Sequence, residues 1–179
     1  MTWLPVSVTV EPASEPVTTA EAKSQARVDS SAEDTLIGDY ITAARQLVEQ
    51  YTGTRLVSQT VDFRGSAFAD LVALPVAPII SVTSVKYLDS AGAEQTLSTD
   101  VYEAVTTGLV PSIRIKVGQS WPTPRDAVDA VRVVAVAGYA TVPEPIRHAI
   151  MLTVAKWVDD RTMGDLPSGA FALLENYRR

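Results

Sequence analysis

The chain has no cysteine and a single histidine, His148, in 179 residues. The first absence removes disulfides, thiolate nucleophiles and cysteine-ligated zinc. The second leaves any Ser-His-Asp device only one base to use. Positive charge is also scarce: 15 Lys and Arg against 21 Asp and Glu give a formal net charge of −6. With no basic run to neutralise phosphates, a tight grip on duplex DNA is not expected. An acidic surface can still border DNA without holding it. The nine glycines are scattered, and none forms a Gly-x-Gly-x-x-Gly or Gly-x4-Gly-Lys phosphate loop. Long apolar runs are missing as well. Ile146 to Val158 is interrupted by Arg147, His148 and Lys156, which excludes a membrane span. The start, Met1-Thr2-Trp3-Leu4-Pro5-Val6, lacks a positive segment and a continuous apolar core, so no signal peptide is expected. These features predict a soluble product made in the cytoplasm.

What is present is ordinary for a folded protein. A hydrophobic fraction of 46% with 20% charged residues is enough to bury a core, and the length suits one domain with or without arms. Residues 1–17 carry Pro5, Pro12 and Pro16 among Val and Thr, which predicts an extended arm, either loose or docked on a neighbour. Thr18-Thr19-Ala20-Glu21 matches a capping box and predicts a helix over about 18–28. Ser30-Ser31-Ala32-Glu33 reads as a second box. The helix behind it, about 32–52, has Leu36, Ile37, Tyr40, Ile41, Ala44, Leu47, Val48 and Tyr51 on one stripe. Asp39, Arg45, Glu49 and Gln50 fall mainly on the other side, and Gly53 is the expected C-cap.

From about 56 to 137 the period shifts towards two. Val57 to Phe63 alternates, and Leu71 to Leu74 is a short apolar run stopped by Pro75. Ile80 to Leu88 ends at the hairpin signal Asp89-Ser90-Ala91-Gly92. Thr96-Leu97 and Val101 to Val105 continue the meander, and Ser112 to Val117 has one buried and one wet face. Val131 to Ala137 is apolar at both parities and predicts a central strand. The sum is an antiparallel or mixed sheet of five to seven strands. Beyond it, Pro143 and Pro145 open a helix over about 143–162, and a short helix over about 168–177 closes the chain. The fold class is therefore α+β: a helical bundle core with a β insertion at about 56–137 and a C-terminal tail at 165–179. The arm and the tail hold apolar residues without a self-sufficient pattern, which suggests contacts with other subunits.

Chemistry is hard to find. His148 lies among apolar neighbours on the last long helix, with no Gly-x-Ser-x-Gly elbow or comparable nucleophile context; a structural or surface role is expected. Asp159 and Asp160 with Asp165 suggest a carboxylate cluster, but adjacent helical residues point about 100° apart, so a solvated helix end is the better reading. Trp121-Pro122-Thr123-Pro124 is equally compatible with a recognition loop and with a turn whose Trp covers the sheet. The junction from Val131 through Gly138 and Pro143 to Ile150 is where an α/β enzyme often places its chemistry, and it holds no catalytic group. No catalytic residue, cofactor or metal site is predicted.

Taken in order, these segments resemble one family. Thr19-Ala20-Glu21-Ala22-Lys23 and Arg27-Val28-Asp29 look like its opening helix. Ile41, Ala44, Arg45, Glu49, Tyr51, Thr52 and Gly53 look like its second helix. Leu74-Pro75, Pro78, Val82-Thr83-Ser84-Val85 and Tyr87-Leu88-Asp89 look like the start of its sheet. Trp121-Pro122, Val131 to Tyr139, Val142 to Ile150, Leu173-Leu174 and Tyr177-Arg178 complete the sequence. The chain is similar, over about residues 17–179, to the head–tail connector (adaptor) proteins of long-tailed bacteriophages, in the branch with a β insertion between connector helices. No single motif is specific; their order carries the resemblance.

The resemblance implies a non-enzymatic structural protein of the virion neck. Such adaptors form a ring of about twelve copies under the portal. The ring extends the DNA channel and docks a stopper or tail-completion protein. It implies partners in other copies of the chain and in the portal, with genomic DNA passing without specific binding and no membrane. Two other readings stand beside it: a stopper or tail-completion neck protein, for which a more β-dominated chain is expected, and a small hydrolase using His148.

Overall fold

The computed structural model describes residues 3–108 and 110–179; the first two residues of the expected arm lie outside them. The chain divides into two compact units. One takes the chain up to Pro12 together with Ser58–Tyr139, and the other comprises Ala13–Val57 and Ala140–Arg179. The α+β class holds. No helix among the described residues is long and apolar enough to cross a membrane.

The first unit is a sheet of five strands in the order β1-β2-β7-β3-β4, formed by β1 (Ser7–Val10), β2 (Gln59–Gly65), β3 (Ile79–Leu88), β4 (Glu94–Thr96) and β7 (Val131–Ala137). All its pairings are antiparallel. β7 is central, as its composition predicts, and its burial alternates strictly. Val131, Val133, Ala135 and Ala137 are buried, while Arg132, Val134 and Val136 are half-buried on the opposite face. The apolar residues at both parities therefore reflect a central position rather than two fully covered faces. The buried face packs Val61, Phe63, Val85 and Val131 with Leu71, Leu74 and Ile113. Each such aliphatic side chain contributes roughly 1.5–3 kcal/mol.

Two expectations fail in detail here. The meander stops after β4: β5 (Tyr102–Val105) pairs with β6 (Ser112–Ile115) in a separate two-stranded sheet. The run at Leu71 is not a strand but the end of a 3-10 turn, Phe68–Val72, in which Asp70 Oδ2 accepts hydrogen bonds from Ser66 Oγ and Ala67 N. Those side-chain bonds favour a local turn over a ladder.

The second unit contains α1 (Thr19–Ala26), α2 (Asp34–Thr52), α3 (Glu144–Asp160) and α4 (Ser168–Leu174), with a 3-10 turn at Glu175–Tyr177. Its core joins Ile37, Ile41, Ala44 and Val48 of α2 to Ile146, Ala149, Ile150, Val154 and Trp157 of α3, with Ala22, Leu166, Ala170 and Leu174. The Thr18 box forms as predicted: Thr18 Oγ1 accepts from Glu21 N, and Glu21 Oε2 accepts from Thr18 N at 2.8 Å. The second box does not form. Glu33 is the N-cap of α2 without a side-chain cap, because its carboxylate is taken by Arg161 Nη1 at 2.9 Å and Ser30 Oγ instead accepts from Ala32 N. Gly53 ends α2 with φ +68. Pro143 and Pro145 stand at the start of α3. Leu36 faces solvent at 42% exposure, so the predicted stripe of α2 is narrower than its hydropathy.

Candidate interaction surfaces

Three clusters, two of charges and one around an aromatic pair, determine how the connecting segments lie within the helical unit. On α2, Arg45 and Glu49 are buried, where the stripe placed them mainly on the wet side. Both are matched. Arg45 Nε donates to Glu15 Oε2 at 2.7 Å, and Arg45 Nη1 lies 3.5 Å from Glu49 Oε2. Glu49 also accepts from Arg55 Nη1 at 3.1 Å and from Leu56 N at 2.9 Å. Buried ions survive only when paired and hydrogen-bonded; here the pairing pins the chain at Glu15 and at Arg55–Leu56 onto α2. The i, i+4 spacing of Arg45 and Glu49 was the signal available in the sequence, and the partner Glu15, thirty residues away, was not.

Arg147 is the second hub. Its Nε donates to Pro16 O at 3.0 Å, Nη1 to Glu144 Oε1 at 2.7 Å, and Nη2 to Glu21 Oε1. The two hydrogen bonds from Thr18 and then the Arg147 guanidinium lower the Glu21 pKa to about 2. The third cluster is at the C-terminus. Phe171 meets Tyr51 edge-on at 5.0 Å, Arg178 lies over the Tyr51 ring, and Arg179 N donates to Thr52 O. The tail from Asp165 thus packs on its own helices, although its short apolar pattern suggested an outside partner.

The arm is likewise seated on its own chain. β1 pairs with β2 through Ser7↔Asp62, Val8↔Val61 and Val10↔Thr60. Upstream, Trp3 lies edge-on to Phe63 at 5.3 Å, its Nε1 donates to Ala73 O at 3.0 Å, and Leu4 N donates to Arg64 O. The Trp121 turn covers the sheet: its ring stacks on Phe68 at 4.8 Å with an interplanar angle of 4°. On the sheet's other face the charges pair among themselves. Arg132 donates to Asp62 Oδ2 and Glu94 Oε2, and Lys86 Nζ lies 2.7 Å from Glu94 Oε1.

The residues considered for chemistry do not converge. His148 is exposed on α3. Asp159, Asp160 and Asp165 are also exposed, and Asp160 holds Lys156 Nζ at 2.7 Å. Among the described residues no group of three or more His, Asp or Glu is arranged to hold a metal ion. What the surfaces offer is contact area. In the helical unit an uncharged open cleft of about 350 Å³ is lined by Ala43, Gln46, Leu47, Gln50, Trp157 and Met163. In the sheet unit Val10, Val72, Val110, Val117 and Val128 are exposed.

The model of the phage gp6-like head–tail connector protein family matches residues 17–96. That span runs from the approach to α1 through α2, β2 and β3 to the end of β4. No curated protein matches the chain. Among solved structures, a chain in the neck of an empty gene transfer agent particle computed with C6 symmetry aligns at TM-score 0.81 and 23% identity, covering 98% of this chain and 95% of that one. A chain of the native gene transfer agent virion aligns at TM-score 0.79 and 23% identity with the same coverage. A chain in the neck of the native particle computed with C12 symmetry aligns at 0.71 and 24%, covering 95% of this chain and 94% of that one. The protein is similar in sequence to the gp6-like head–tail connectors over residues 17–96, and over nearly all its length it has the fold of a chain from the neck of a gene transfer agent particle.

Proposed function

We propose that this chain is a structural head–tail adaptor of a tailed phage or phage-like particle. It acts as one subunit of a ring that lies below the portal, extends the DNA channel and docks the next neck or tail protein. The observation that carries this reading is the agreement of two independent likenesses, the connector family over 17–96 and the neck-chain fold over 98% of the chain.

The physical character of the chain supports it. The Arg45 and Arg147 clusters fasten connecting segments, the Arg132 cluster pairs strand to strand, and among the described residues none is arranged around a reacting atom. A subunit with formal charge −6 contributes to an acidic wall that repels phosphates, so DNA slides past rather than sticks. Head-to-tail contacts between copies close into a ring when the rotation permits, which fits the C6 and C12 symmetries of the neck structures with this fold. The protein has no enzymatic role in this reading.

Electron microscopy of particles carrying the chain tests the proposal. The expected density places a ring of this fold in direct contact with the portal. A ring separated from the portal by another protein would assign the chain to the stopper or tail-completion position instead. Its absence from purified particles would overturn the adaptor reading.

A further inference from the structure

The N-terminal strand is seated on the sheet unit through a socket and a strand edge. Trp3 sits in a socket formed by Phe63, Gly65 and Ala73, with its Nε1 bonded to Ala73 O. Gly65 is the floor of that socket: a Cβ there would stand 3.0 Å from Trp3 Cζ3 and 3.1 Å from Cε3. β1 then adds to the free edge of β2 over four residues. All of these contacts are made with the sheet unit, and the chain passes out of that unit at Pro12. The connecting residues, Glu11-Pro12-Ala13-Ser14-Glu15-Pro16, contain two prolines and no helix or strand. Their far end is held on the helical unit by Glu15 to Arg45 and by Pro16 O to Arg147.

We propose that in the assembled ring the segment Trp3–Val10 of one copy completes the sheet of the adjacent copy, occupying that neighbour's Phe63–Gly65–Ala73 socket and β2 edge. The inference rests on the ring reading above. The contacts made by an exchanged strand are the same as those made at home, so exchange is decided by the linker and by how close the next socket lies. Straightening the bend at Ala13–Ser14, upstream of the anchors at Glu15 and Pro16, redirects the strand; the β1–β2 ladder broken at home is remade on the neighbour, and no helix is disturbed. Within a ring the neighbouring socket is present at an effective concentration on the order of millimolar, far above that of free subunits. Exchange makes each sheet depend on two chains and links the ring without new interface chemistry.

The absence of native cysteine gives a clean test. Two double variants, Val8→Cys with Val61→Cys and Val10→Cys with Thr60→Cys, place thiols at directly paired positions, the second outside the core with Val10 exposed and Thr60 half-buried. In the free protein both should oxidise within one chain. In oxidised purified particles the proposal expects covalent dimers and a ladder of larger species on a non-reducing gel. It also expects dimers in particles assembled from a mixture of the two single-cysteine chains of either pair. Only monomers with an intrachain disulfide, and no dimer from the mixed singles, would overturn the exchange and leave the adaptor reading intact. Failure to recover the chain in particles at all would sink the adaptor reading, and the exchange with it.

Discussion

The Trp3 indole lies close against Gly65: a Cβ on residue 65 would stand 3.0 Å from Cζ3, a few tenths of an ångström tighter than an ordinary contact. This contact, with the bond from Trp3 Nε1 to Ala73 O, anchors the start of a segment whose later residues are held by the β1–β2 ladder. Gly65→Ala should push the ring out at a cost of about 1–3 kcal/mol. Hydrogen exchange reads the result. The Leu4 amide, bonded to Arg64 O, should exchange much faster than in the parent while the β7 amides stay protected. Unchanged exchange at Leu4 would mean that the socket does not retain the arm.

Arg45 is buried between Glu15 and Glu49. Arg45→Met removes a charge whose partners remain. Glu49 keeps Arg55 and Leu56 N, so the loss should fall at the low end for a broken buried pair, about 3 kcal/mol. Urea unfolding of the two proteins measures it. A loss under about 1 kcal/mol would show that the cluster behaves like a surface pair.

Glu21 has its pKa lowered to about 2 by its hydrogen bonds to Thr18 and Arg147. A carboxylate depressed on folding stabilises the protein fully above its ordinary value near 4.5, and that contribution is lost as pH falls from there towards 2. Glu21→Gln should therefore be less stable than the parent at pH 6, and the difference should shrink steadily between pH 4.5 and 2. Melting temperatures of both proteins across that range decide the point; parallel curves would contradict it.

The stacked pair of Phe68 and Trp121 holds the Pro122–Pro124 turn over the sheet. Trp121→Leu keeps apolar area but loses the stack, and should cost about 1 kcal/mol. A denaturant midpoint unchanged by the substitution would instead favour a free recognition loop.

Much of the architecture was legible because its signals are local. The box at Thr18–Glu21, the stop at Gly53 and the prolines that open α3 each act within four residues, and each forms as predicted. The hairpin at Asp89–Gly92 and the central β7 follow from turn chemistry and apolar content for the same reason. Apart from the local turn at Phe68–Val72, the errors come from contacts that span long stretches of sequence. Glu33 reads as the end of a capping box, yet its carboxylate is claimed by Arg161, 128 positions away. Arg45 and Glu49 read as a wet face until Glu15 and Leu56 N are placed against them. β1 reads as an extended arm, loose or docked on a neighbour, because neither the edge of β2 nor the Trp3 socket exists before Phe63, Gly65 and Ala73 come together.

The sequence by itself determined that the protein is α+β, that its middle is a sheet set between helices, and that it holds no thiol and no phosphate-loop motif. Periodicity, caps and residue types carry that information because each depends only on near neighbours along the chain. The tertiary structure alone decided which charges are buried, that the first strand joins β2, and that β5 and β6 leave the main sheet. Those outcomes depend on the cost of an unpaired ion or an open strand edge, and that cost is set only once distant segments meet.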